Sequence, residues 1–394
     1  MHLTNTKIIY SALCFASLFL SSCGGGGSSA SGPVKVAYVA NYGTNNISEY
    51  TIGANGALTL MATVPAGVAP TSVTVDPSGR YAYVANSLDS VISQYTIGAG
   101  GGLVPAGSAQ SGFAGSGPIS VTVDSSGKYA YAANGGEDTV SQFTIVGGAL
   151  TGMVTVPTGN NSPVFVTVTT DPAGKKYAYV VNAGIPCPSP SGSCVVVVPS
   201  ISQYSINATN GALTPMSPVP LAAGMAPASI TVDPAGKYAY VVNAGTPCPP
   251  ASTSCVTVPS TISQYKILAG VLTPQSPAWV GGASTALSLA TSLAIDPAGK
   301  YAYVANGSGV YQYSINSDGT LAEMSTPTIY TGGFIQRSIA VDAGKVYMVN
   351  LGSDTISQFS IGALGMLSAL NPVSVSTGAV GTQPYSITTA VSIH

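Results

Sequence analysis

Charge is what this sequence most conspicuously lacks. Asp, Glu, Lys and Arg make up 6% of the 394 residues, where an ordinary soluble domain carries about 25%. Lys and Arg number 11 and never cluster. That excludes the concentrated positive field that a nucleic-acid groove or an anionic membrane surface needs. Histidine is nearly absent, with only His2 and His394 in the chain. Ser-His and Cys-His nucleophilic pairs, His-ligated zinc and CxxCH haem attachment are therefore not available, and no cofactor is expected. Helical periodicity is also missing. What remains is 45% hydrophobic and rich in Gly, Tyr and β-branched residues, a composition that packs as β-structure rather than staying disordered.

The first 22 residues read as a targeting segment. Lys7 supplies a basic start, and IIYSALCFASLFL (8–20) is an apolar core too short for a comfortable membrane span. Leu20-Ser21-Ser22-Cys23 resembles the lipobox of bacterial lipoproteins. The resemblance implies cleavage before Cys23, acylation at Cys23, and a lipid-anchored place in the bacterial cell envelope. Gly24 after the cysteine points to the outer membrane, facing either the periplasm or the outside. GGGGSSASG (24–32) then makes residues 23–33 a flexible tether. Four further cysteines form two C-x6-C pairs, Cys187/Cys194 and Cys248/Cys255. In an exported chain an even count reads as disulfides, here local ones; cross-pairing between the two loops and free thiols are the alternatives. No metal site is expected, since no His lies nearby and Pro sits in both loops.

Residues 34–394 repeat. Lining up the asparagine that ends each YAYVxN run gives Asn41, Asn86, Asn134, Asn182, Asn243, Asn306 and Asn350, spaced by 44 to 63 residues. Such a period means propeller blades or a solenoid. One unit decides between them. PTSVTVD (70–76) alternates as a strand, DPSGR (76–80) is a type I turn, and YAYVAN (81–86) is a second strand. SLDS (87–90) turns the chain into VISQYTI (91–97), and a weaker fourth segment lies near LVPAGSAQ (103–110). Four antiparallel strands per repeat predict an all-β protein built of propeller blades. The first unit starts at VKVAYVAN (34–41) without an innermost strand, and PYSITTAVSIH (384–394) is an innermost strand without a hairpin after it. The two ends are complementary. They predict a seven-bladed ring closed by the C-terminal strand, with no frayed edge.

YVAN (38–41, 83–86), YVVN (179–182, 240–243) and the repeated DPxGKYAYV resemble the YVTN-repeat and lactonase-type seven-bladed propellers, the 6-phosphogluconolactonase-like family. The resemblance spans about 34–394 and implies architecture first. For an active lactonase it also implies His, Glu and Arg around the central channel. Arg337 is the one match here.

The repeated polar residues read as structure. Asp76, Asp124, Asp171, Asp233, Asp296 and Asp342 recur with Arg80, Lys128, Lys176, Lys237, Lys300 and Lys345, and the turn assignment makes each Asp a turn cap rather than part of a metal ring. The Tyr pairs (Tyr81/Tyr83, Tyr238/Tyr240 and their kin) predict inter-blade packing with a reachable hydroxyl. Gln94, Gln142, Gln203, Gln264, Gln312 and Gln358 predict structural hydrogen bonds, with Glu49 in the same place in the first repeat.

Function is expected on the face opposite the DPxG turns, where the loops leading into the innermost strands and both cysteine loops lie. The residue before the repeated Ser of the innermost strand is Thr71, Ile119, Ala228 and Thr291 in four blades, and the third blade is lengthened there. The sixth and seventh blades carry Arg337 and Tyr385 instead, with Phe334 and Gln336 beside Arg337. These four residues are the candidate ligand site; no catalytic residue is assigned. Arg337 either holds a carboxylate or phosphate, or pairs with a rim acid such as Asp354. Acid/base chemistry would fall to Glu49, Asp89, Glu137, Asp138, Glu323 or Asp354, which are scattered over different loops and strands. The sequence thus predicts a monomeric, non-enzymatic envelope lipoprotein that binds a protein, glycan or small molecule on a rigid propeller face. A lactone hydrolase using Arg337 and a structural or adhesive surface protein are the alternatives.

Overall fold

A computed structural model describes residues 33–159, 162–184, 198–217, 221–245, 258–281, 289–307 and 309–392. The signal segment, Cys23 and both cysteine loops lie outside these described residues.

Seven antiparallel sheets form the blades. Numbered from the first complete repeat, their innermost strands are Pro70–Val75, Pro118–Val123, Pro163–Thr170, Pro227–Val232, Ser292–Ile295, Gln336–Asp342 and Pro384–Ser392. Each blade continues outward through strands two, three and four. In blade 1 these are Tyr81–Asn86, Val91–Ile97 and Leu103–Gln110, the segments expected from sequence. Blade 3 has its outer edge in two pieces, Leu213–Pro215 and Leu221–Ala222. Blade 7 joins the two ends of the repeat region: Pro384–Ser392 pairs antiparallel with Val34–Asn41, so the ring closes as the complementary ends predicted. Each innermost strand packs against the next, in the order of blades 1 to 7 and back to 1.

Three repeated contacts explain why these residues build this ring. In every blade the Tyr three residues before the closing Asn of the second strand donates its hydroxyl to a glycine carbonyl in the strand three-to-four turn of the next blade: Tyr38 to Gly101, Tyr83 to Gly148, Tyr131 to Gly211, Tyr179 to Gly270, Tyr240 to Gly319, Tyr303 to Gly365 and Tyr347 to Gly56, at 2.6–3.0 Å. The Gln of each third strand accepts, through Oε1, the backbone N–H of a leucine in the next blade, as Gln264 does from Leu321 at 2.6 Å. In the closing blade Glu49 takes this part and accepts from Leu103 N at 2.6 Å. The Asp of the DPxG turn caps it, Asp76 accepting from Arg80 N and Tyr81 N at 2.9 and 2.8 Å. Asp342 departs from the pattern. Its turn is the two-residue Ala343–Gly344, both at positive φ, and its carboxylate meets Lys35 Nζ at 3.0 Å instead.

Glu49 is 2% exposed. Burial raises its carboxyl above the ordinary value of 4.5, against the opposing pull of the Leu103 N–H. At the equivalent glutamines 264, 312 and 358, Nε2 also donates to a carbonyl of the same blade's outer strand. A carboxylate has no proton to donate in that way. A raised native pKa means the native state binds its proton more tightly than the unfolded chain. The associated stability is present below the ordinary carboxylate range and is lost as pH rises through the native value. Glu49→Gln is therefore expected to raise the denaturation midpoint at pH 7.5 and leave it little changed at pH 4. Urea titrations at the two pH values check this, and a variant less stable at pH 7.5 contradicts it.

Candidate functional site at the channel mouth

A cavity of about 300 Å³ opens at one end of the central channel, on the face away from the DPxG turns. All seven innermost strands line it, each at its start. Ladder register defines the positions. Pro70 pairs with Asn86 and Ser72 with Ala85 in blade 1, and the same alignment recurs around the ring. The third position holds Ser72, Ser120, Ser229, Ser292, Ser338 and Ser386, and in blade 3 it holds Phe165.

The serines stitch the inner ring. Ser72 Oγ accepts from Val121 N, Ser120 from Val166 N, Ser338 from Ile387 N and Ser386 from Val73 N, each in the following blade, at 3.2–3.4 Å. The hydroxyls of Thr71 and Thr291 are likewise committed, donating to the carbonyls of Pro118 and Gln336 at 3.2 and 3.1 Å.

Among the described residues Arg337 is the only charged one of the lining. Its guanidinium lies 4.2 Å over the centre of the Tyr385 ring, and Nη2 donates to Tyr385 Oη. The Tyr385 ring in turn meets that of Tyr42, with centroids 5.8 Å apart. This stack holds the half-buried guanidinium at the mouth by a cation–π contact. Among the described residues Arg337 makes no ion pair. Of its five N–H donors, one is used on Tyr385.

Asp354, the rim acid considered as its partner, is engaged elsewhere. It accepts from Gly381 N at 2.7 Å, Gln383 N at 2.7 Å and Thr382 Oγ1 at 3.0 Å. Burial raises its pKa, but these three donors outweigh that and hold the carboxyl below its ordinary range. The other candidate acids are placed likewise away from the cavity. Asp89 accepts from Val68 N, Glu137 from Phe113 N and Asp138 from Ser162 N. Each pins a loop that leads into an innermost strand. Glu323 lies on the outermost strand of blade 5, and Glu49 is between blades. Among the described residues no carboxylate lines the cavity.

The two remaining sequence candidates stand apart from Arg337 and Tyr385. Gln336 begins the innermost strand and is buried, its Nε2 donating to Gly333 O at 2.8 Å and Thr331 Oγ1 at 3.2 Å. Unlike its neighbour Arg337, it does not line the cavity. Phe334 is 68% exposed on the preceding loop and does not line the cavity. Sequence reasoning passed over Phe165 and Val164. The readable signal was Phe at a position that six other repeats fill with Ser, masked by the lengthening of blade 3.

Residues 35–182 match the family described as lactonase, 7-bladed beta-propeller. Comparison with curated proteins gives no match. Among solved structures the chain is similar to a protein of Bacteroides fragilis described as a "putative 6-phosphogluconolactonase", with a TM-score of 0.70 and 17% identity over 92% of this chain and 99% of that one. It is similar also to the periplasmic gluconolactonase of Pseudomonas aeruginosa, with a TM-score of 0.65 and 17% identity over 90% of this chain and 99% of the other. At such identity these likenesses speak for the shared fold.

Proposed function

We propose that this chain, a seven-bladed propeller of the lactonase type, is a binding module that takes a small organic anion at its channel mouth, with Arg337 as the anchoring charge. One observation carries the reading: among the described residues the cavity holds a single positioned guanidinium with unused N–H donors and no carboxylate to neutralise it. A lone fixed cation in a walled concavity favours an anion over water and over neutral ligands. Planar, paired N–H groups suit a carboxylate or phosphate. The propeller would be displayed at the cell envelope from a lipid on Cys23, with the cysteine loops, clasped by Cys187–Cys194 and Cys248–Cys255, standing on the same face.

The lactonase match and the named neighbours support a second reading, lactone hydrolysis with Arg337 polarising the carbonyl. Against it, among the described residues no Asp, Glu or His on the lining is placed to activate water. Calorimetric titration of the mature domain with a panel of carboxylates and inorganic phosphate, run beside a turnover assay on five- and six-membered lactones, separates the two. Arg337→Ala is expected to weaken anion binding about 10- to 100-fold, the weight of charge-assisted hydrogen bonds, while Arg337→Lys keeps part of it. Lactone turnover that disappears in Arg337→Ala would replace binding with catalysis. Absence of anion binding by folded protein would remove the anion site.

A further inference from the structure

The ring order places chemistry on opposite sides of the cavity. Arg337 belongs to blade 6 and Tyr385 to blade 7, which are neighbours. In a seven-membered ring the blade facing that pair is blade 3, and blade 3 contributes Val164 and Phe165. The blades on either side of it add Ile119 and Ala228. Phe165 is also the one break in a ring of serines. The cavity is thus cationic on one wall and apolar on the other, with hydroxyl-bearing positions between.

Building on the anion site of the preceding section, we infer that the ligand is an amphipathic carboxylic acid. Its carboxylate meets Arg337 and its aromatic or branched apolar body lies against Phe165, Val164 and Ile119. A polyhydroxylated sugar acid fits this lining less well, because the side chains of Phe165, Val164, Ile119 and Ala228 offer its hydroxyls no partner and hydroxyls desolvated against them would go unpaired. The about 300 Å³ volume sits at the small end of ligand cavities, which limits the body to about one ring and a short chain. Phe165 is then a specificity residue, setting the class of acid, and Arg337 sets the requirement for an acid at all.

The test compares 3-phenylpropanoate, benzoate, acetate and gluconate by calorimetry on the mature domain and on Phe165→Ser and Phe165→Leu. Phe165→Ser completes the serine ring; Phe165→Leu keeps the wall apolar. The unmodified domain is expected to bind 3-phenylpropanoate at least about tenfold more tightly than acetate or gluconate, from ring burial. Phe165→Ser should erase most of that margin while leaving acetate unchanged, and Phe165→Leu should retain most of it. Phe165 is half-buried, lining the cavity while also packing against the core between blades 3 and 4; circular dichroism confirms that each variant is folded before titration, and Phe165→Leu, which keeps that packing, carries the test should Phe165→Ser not fold. Gluconate binding as tightly as 3-phenylpropanoate, or a margin unmoved by Phe165→Ser, overturns this inference and leaves the anion site standing. No binding of any of the four acids overturns both.

Discussion

A chain ended at Gln383 is expected to lose cooperative folding. Residues Pro384–Ser392 pair along the whole of Val34–Asn41 and place Ile387, 6% exposed, among Ala37, Val39 and Tyr347. They also form the wall between blades 6 and 1, where Ser386 accepts from Val73 N at 3.4 Å and Ser338 from Ile387 N at 3.4 Å. Their removal leaves Val34–Asn41 as a bare edge in the middle of the molecule and opens the ring at the cavity. Backbone hydrogen bonds at about 1 kcal/mol each and one buried isoleucine together contribute on the order of 5–10 kcal/mol, comparable with the about 5–15 kcal/mol that holds a typical domain folded. The truncated chain should bind a hydrophobic dye at ambient temperature and show no sharp thermal transition. Adding the peptide 384–394 should abolish the dye binding and restore a sharp transition, because the missing strand supplies backbone pairing that needs no covalent continuity. A truncated chain melting at the wild-type midpoint would show that closure contributes little.

That closing strand illustrates why the fold was legible in the sequence. An unpaired innermost strand at one end and an incomplete blade at the other are visible in the order of segments, before any geometry is known. The Tyr, Gln and Asp of each unit were equally readable, because seven copies of one unit isolate what the architecture needs from what varies. The site was legible only where it breaks the repeat within an unshifted alignment. Arg337 and Tyr385 stand where other blades have Thr, Ile or Ala, and the structure brings them into contact. Phe165 breaks the repeat as clearly, but the longer innermost strand of blade 3 hides its register until the pairing of Phe165 with Val181 is seen. The partner of Asp354 was not readable for another reason. Its ligands are backbone N–H groups of the loop at 381–383, and loop conformation leaves no trace in residue identity. The pairing with Arg337 failed because three local donors satisfied that carboxylate first.

One glycine of the repeated turns should be especially damaging to lose. Gly270 closes the turn between the third and fourth strands of blade 4 at a φ of +82°. Its carbonyl accepts the Tyr179 hydroxyl of blade 3 at 2.9 Å, and a Cβ built there would collide with the ring of Tyr177, the other tyrosine of that pair. Both tyrosines of one blade therefore close on one glycine of the next, the first by stacking and the second by hydrogen bonding. Gly270→Ala must either hold alanine in the left-handed region against the ring or push the blades apart and lengthen the Tyr179 bond. The backbone term is about 1–2 kcal/mol and overpacking adds about 1–3 kcal/mol, so a loss of about 2–5 kcal/mol is expected. Gly344 supplies the control: it has nearly the same φ, +80°, in a turn where an added Cβ meets nothing within 4 Å. Gly344→Ala should therefore show the backbone term alone, about 1–2 kcal/mol. Urea denaturation of the two variants reads the difference directly. Equal losses would mean that the left-handed turn alone demands glycine; a larger loss at Gly270 assigns the excess to the tyrosine clasp that joins one blade to the next.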